Sequence, residues 1–181
     1  SMRRGIISAG NWLSDTIKFI SHYPAVGKLV TIEKIDQGFG GCAHNVLADL
    51  ARMQTGIPLY AGGCVGRDAL GDEIFSTCEK LGIDTEGICR VDAATSYTDV
   101  MADMSNGTRT FFHHRGANAE FGPEHVEKIT AEAKIFHLGY LLLLDRMDFK
   151  DEEYGVVAAR VLDGLQKRGY KTSVDVVSEE G

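Results

Sequence analysis

The chain has 181 residues, 44% hydrophobic and 25% charged, with 21 glycines and 3 prolines, which is a globular composition rather than a disordered or collagenous one. Its formal net charge is −7 and no basic cluster exceeds Arg3-Arg4, so no nucleic-acid partner is expected. No apolar run approaches a membrane span, and the cysteines form no C-x-x-C pair and follow no secretory-signal pattern, so the expectation is a cytoplasmic chain with free thiols and no metal site.

Taken in order, residues 4–9 read as a first strand closed by Gly10. Residues 38–41 form a glycine-rich turn. It opens a helix over 42–55, whose stripe is Val46, Leu47, Leu50, Ala51 and Met53 and which Gly56 stops. Residues 57–65 predict a strand, and 69–81 a helix between an Asp68 N-cap and a Gly82 C-cap. This alternation is that of a parallel sheet with covering helices. The pattern then changes. Two β-rich runs, 96–104 and 108–114, flank Asn106-Gly107, a strong hairpin signal. A hairpin inserted into an α/β alternation predicts a small second sheet projecting as a flap, with 28–37 supplying another strand. The alternation resumes with Pro123 opening a helix over 124–133, then a strand at 135–139, a long helix at 150–167 and a strand at 171–177. A βα unit is left without its helix, so the chain reads as a fragment of a longer protein.

Four places invite chemistry. The stretch Gly10 to Asp15 follows the first strand, and in open α/β sheets ligands bind beyond the carboxyl ends of strands. Asp15 there either accepts hydrogen bonds from a polyol or caps a turn. Gly40 and Gly41 precede a helix, where backbone N–H groups approach a ligand closely, and Asn45 lies one turn in. The order lacks both the Gly-Lys-Ser/Thr ending of a P-loop and a dinucleotide fingerprint. Arg115-Gly116-Ala117-Asn118 returns from the hairpin and suits a hinge. His113 and His114, adjacent on a strand, point to opposite faces. The histidines at 22, 44, 125 and 137 show no ligand spacing, so each reads as an ordinary core or surface residue. Asp99 alternates with Tyr97 and Met101. It is a hydroxyl acceptor if its face meets a ligand, and an exposed edge charge otherwise.

Together and in this order, Gly10 to Asp15, Gly40-Gly41 with Asn45, the run from Gly62 through Val65-Gly66-Arg67-Asp68 to Gly71-Asp72, Leu81-Gly82-Ile83-Asp84, and Gly116-Ala117-Asn118 resemble the N-terminal part of the ribokinase-like, or PfkB-type, carbohydrate kinases. The resemblance implies a doubly wound α/β domain with a β-sheet lid, its strands inserted at about residues 12–37 and 96–115. It implies transfer of a phosphoryl group from ATP, with Mg²⁺, to a sugar or nucleoside hydroxyl. The aromatic, β-rich hairpin cannot bury both of its faces alone, so a homodimer through the lid is expected. Carried over, Asp15 and Asn45 bind substrate hydroxyls, Gly40 and Gly41 make the hinge-side backbone contact, and Asn118 lies where lid meets pocket. Asp175 falls on a strand where the family often carries an Asp or Asn facing the site. Cys42 stands where ribokinase has a Lys, and Leu13 where it has a sugar-contacting Asn. The family's D-x-x-G-A-G-D segment is not in this sequence, so the base, the anion hole and the ATP site are expected beyond Gly181. A competing reading is a non-catalytic half-kinase that binds sugar and dimerises through its lid.

Overall fold

In this computed structural model, which describes residues 2–177, the apolar run near the N-terminus becomes β1 (Ile6–Gly10), the middle strand of a five-stranded sheet. Its neighbours are β4 (Leu59–Gly66) and β8 (Ile135–Leu141), flanked by β5 (Asp84–Val91) and β11 (Lys171–Val176). The order is β11-β8-β1-β4-β5, and every pairing is parallel. Parallel strands need crossovers, and the crossovers cover both faces. On one face α1 (Cys42–Arg52) and α2 (Ala69–Lys80) enclose Leu47, Ala61, Val65, Ile74 and Ile88. On the other, α3 (Pro123–Glu127) and α5 (Val157–Lys167) enclose Ile7, Phe121, Phe136, Leu138 and Leu165. No helix of the described residues is long and apolar enough to cross a membrane.

The second sheet has four strands in the order β3-β2-β6-β7: β2 (Leu13–Ile20), β3 (Ile32–Gly40), β6 (Tyr97–Asp103) and β7 (Arg109–His114). The hairpin lies where Asn106-Gly107 places it, with Gly107 at φ 73° and Asn106 Oδ1 accepting the Thr108 N–H at 2.9 Å. The result is an α/β body with a projecting β-sheet lid.

Several expectations are corrected. Residues 38–40 are not a turn; they finish β3, and only Gly41 leaves the strand, at φ 94°. β5 was not foreseen, because its Asp-Thr-Glu-Gly start lacks a strand pattern; the open edge of β4 organises it. The helix expected at 124–133 ends at Glu127. The chain must extend there so that Lys134 N–H reaches Gly5 O, while Arg168 donates to the carbonyls of Val126 and Ile129. The long helix expected at 150–167 begins only at Val157. Before it, Asp151 Oδ1 accepts the N–H groups of Glu153 and Tyr154, turning the chain between β9 (Lys150–Asp151) and β10 (Gly155–Val156). A short helix, α4 (Asp145–Asp148), lies upstream.

Candidate active site

The run Val65-Gly66-Arg67-Asp68-Ala69-Leu70-Gly71 builds the root of the lid. Asp68 caps α2 by accepting the Gly71 N–H at 2.9 Å, and its carboxylate also takes the Thr95 hydroxyl at 2.6 Å and the Thr95 N–H at 2.8 Å. Burial pushes this carboxyl up, but the three donors outweigh it and hold it below the usual range. A side chain at Gly66 would lie 2.4 Å from Ala93 O, so the tight crossing into β6 requires glycine. These residues are therefore structural: they fasten the lid's entry strand to the body.

The other attachment is Trp12, between β1 and β2. It is 1% exposed and donates its indole N–H to Gly62 O at 2.8 Å. Gly63 leaves space for the ring, since a Cβ there would lie 2.7 Å from it. Asn118, in the 3-10 turn Gly116–Glu120, clamps the same residue. Its Nδ2 donates to Trp12 O at 3.1 Å and its Oδ1 accepts Trp12 N–H at 3.2 Å. The structure thus engages one donor and one acceptor of the Asn118 amide with the Trp12 backbone and leaves the side chain 1% exposed. The hinge expected at 115–118 is instead a packed turn.

Asp15 emerges half-buried on β2, not at the end of β1, with Gly38 as its register partner. A Cβ on Gly40 would come within 2.6 Å of Asp15 Oδ2, so a side chain there would displace the carboxylate from its present position. Across the sheet Asp15 pairs with Thr98, and Thr98 with His113, whose Nδ1 shares a 2.9 Å hydrogen bond with Thr98 Oγ1. Burial raises the Asp15 carboxyl, and His113 and His44 draw it back down. His113 is exposed, yet partly desolvated by its surroundings. That desolvation first, and Arg115 second, keep its imidazole below the usual histidine value despite Asp15. Gly41 starts α1 beneath this group, and the Ala43 N–H bonds Asn11 O at 3.3 Å. Asn45 is exposed, its Oδ1 3.0 Å from His44 Nδ1.

The structure sets Gly40 and Thr98 beside Asp15 and brings His44 and His113, which the sequence reading missed, close enough to act on its charge, while Asn45 contacts only its neighbour His44. Pairing parity was the available signal, because His113 follows Phe111 by two on a strand whose partner runs beside Asp15. Asp99 is corrected. It pairs with Thr16, one residue out of phase with Asp15, so it lies on the opposite face of the lid, where Lys18 Nζ sits 3.4 Å from its Oδ2. The two carboxylates do not face one ligand.

Past Gly41, the start of α1, the middle of β8 and the end of β11 bring Cys42, His137 and Asp175 together. Cys42 Sγ lies 3.5 Å from His137 Nε2 and donates to Asp175 Oδ2 at 3.4 Å. Burial, reinforced by Asp175, pushes this thiol up to about 12. Among the described residues this is the one group of His, Cys, Asp or Glu side chains close enough to hold an ion. Its thiol and imidazole do not fit Mg²⁺, which takes oxygen ligands.

The sequence profile of the pfkB family carbohydrate kinases matches residues 14–159. An ATP-dependent ribose-1-phosphate kinase of Halopiger xanaduensis is 28% identical over 123 residues, 68% of this chain and 41% of that protein. The ribokinase of Giardia lamblia has the same fold, with a TM-score of 0.77 at 20% identity over 95% of this chain and 54% of that one. The Arabidopsis thaliana ribokinase, solved with ribose and ATP, superposes with a TM-score of 0.74 at 20% identity over 99% of this chain and 55% of that one. The chain thus spans roughly half the length of these relatives. Lid, body and profile agree, and the chain belongs to the PfkB family of carbohydrate kinases.

Proposed function

We propose that this chain forms the acceptor side of a kinase that transfers a phosphoryl group from ATP to a hydroxyl of a sugar or a nucleoside. The observation that carries the reading is Asp15: a half-buried carboxylate over a glycine floor, flanked by His44 and His113, where lid meets body. Such a group accepts hydrogen bonds from vicinal hydroxyls and fixes one of them for in-line attack, and this reaction class depends chiefly on positioning and charge stabilisation. The relatives' names point to ribose-type acceptors, which fits a diol-holding carboxylate. ATP and Mg²⁺ belong to the proposal through the family. The base and the nucleotide site belong, in this proposal, to the part of the relatives' length that the chain does not span.

The lid also supports a homodimer. Ile35 and Phe112 on one face are 59% and 54% exposed, and Phe111 on the other is 65% exposed. A second copy would cover apolar surface that this lid leaves open. Three of the four free cysteines are buried, which accords with a reducing, cytoplasmic setting.

Calorimetric titration of ribose, fructose and a nucleoside into the chain, with Asp15→Ala alongside, tests the reading. One acceptor class should bind, and the variant should lose at least about a hundredfold in affinity, as two charge-assisted bonds at about 1.5–3 kcal/mol each imply. Equal binding by both proteins would remove Asp15 from the site. Light scattering of the same samples reads the dimer, and a monomer at high concentration would remove the lid interface.

A further inference from the structure

Cys42, His137 and Asp175 are far apart in sequence and come from three elements: the first residue of α1, the middle of β8 and the end of β11. Their donor atoms form a small triangle. Sγ to Nε2 is 3.5 Å, Sγ to Oδ2 is 3.4 Å, and Nε2 to Oδ2 is 3.2 Å. A tetrahedral zinc-class ion holds sulfur at about 2.3 Å and nitrogen or oxygen at about 2.0–2.1 Å, which sets ligand separations of about 3.3–3.6 Å. The triangle already has nearly those dimensions.

Three surrounding features agree. The second imidazole nitrogen of His137, Nδ1, is 2.9 Å from Ser173 Oγ, the outer hydrogen bond that orients a ligating histidine. Position 139 is glycine, and a Cβ there would sit 2.7 Å from Cys42 Sγ and crowd the centre. Ser8 lies across from His137 in register, on the same face, fully buried and with its hydroxyl unpartnered. Cys42 is 1% exposed, whereas the Asp175 side chain is 51% exposed, so the site has a closed floor and a wet entrance.

We propose that Cys42, His137 and Asp175 form a three-ligand site for a borderline transition-metal dication of the zinc class, with a fourth position open to water. On binding, the Cys42 S–H bond breaks, its proton leaves to solvent, and a sulfur–metal bond forms without change of oxidation state. The ion would join the start of α1, and through Gly41 the lid strand β3, to the middle of β8 and the end of β11. A thiolate and an imidazole select this class over Mg²⁺ or Ca²⁺. The proposal does not depend on the kinase reading.

The test uses the reduced, chelator-stripped chain titrated with Co²⁺ as a spectroscopic stand-in, followed by Zn²⁺. One equivalent of Co²⁺ should produce a thiolate-to-metal charge-transfer band and tetrahedral visible bands, which Zn²⁺ removes. Zn²⁺ should also raise the melting temperature. Cys42→Ser should abolish the charge-transfer band, and Asp175→Asn should weaken binding at least about tenfold. If Cys42→Ser fails to fold, the wild-type spectrum and the half-exposed Asp175→Asn variant decide the matter. The proposal is overturned by no band in the wild type, by a band that persists in Cys42→Ser and so belongs to another cysteine, or by unchanged affinity in Asp175→Asn.

Discussion

The five-stranded body sheet is covered on both faces, while the four-stranded lid buries side chains only along its inner strands β2 and β6 and leaves its outer strands exposed. In the body, β8 buries four consecutive residues from Phe136 to Gly139. In the lid, every residue of β7 is exposed, as are the first seven of β3. Both sheets are paired along their strands, with register shifts in each, so hydrogen bonding does not distinguish them. The difference lies in apolar burial, the term that dominates folding. The body therefore carries the stability. The lid is held at its root by Asp68, Trp12 and Asn118 and is otherwise free to meet ligand or partner. The candidate site lies at the boundary, where a rigid floor and a lightly held cover share Asp15.

The sharpest break in this comparison is a matched pair of truncations. Phe136→Ala, at a fully buried position, should destabilise by about 3–5 kcal/mol. Phe112→Ala, on the lid, should change the monomer by only about 0.5 kcal/mol. Urea unfolding of both variants checks this, and similar losses would mean that the lid is as integral as the body.

Next, Asp68→Ala should cost about 2 kcal/mol, because an N-cap and a partly buried charged hydrogen-bond network go together. Hydrogen exchange should show the loss concentrated at Thr95 and the entry to β6, with the centre of β8 protected as before. Loss spread evenly through the body would remove the notion of a local root.

The smallest effect on stability, and the most diagnostic, concerns Asp15. Its folded carboxyl is raised, chiefly by burial. The folded state therefore holds its proton more tightly than the unfolded chain, and this group makes the fold less stable as pH rises from the unfolded value through the raised one. Asp15→Ala should remove that slope, leaving the protein at neutral pH equally or slightly more stable while acceptor binding is lost. Melting curves between acid and neutral pH read the sign directly. A variant that melts earlier at neutral pH would return Asp15 to a structural turn-capping role.

Much of the body was legible locally. The Asp68 cap, the α1 stripe and the Asn106-Gly107 turn depend on neighbours a few residues away, and each lies within a residue or two of its expected place or start. The illegible elements depend on distant partners. β5 forms because β4 offers an unpaired edge. α3 stops at Glu127 because Gly5, on the far side of the sequence, recruits Lys134. The start of α5 moved because Asp151 binds the backbone two and three residues on, a local competition that helical periodicity hides.

By itself, then, the sequence determined the alternation of strand and helix, the projecting hairpin, and the family to which these motifs belong, since all three are written in short-range spacing and in glycines that tolerate close backbone approach. Only the tertiary structure decided which carboxylate shares a lid face with Thr98 and His113. Asp15 and Asp99 are both sound candidates on their own strands, and the register between β2 and β6 puts them on opposite faces, because side chains alternate and a shift of one residue reverses them all. Only the tertiary structure, too, brings Cys42 to His137 and Asp175, because parallel strands set residues side by side through crossovers whose length leaves no periodic trace in the chain.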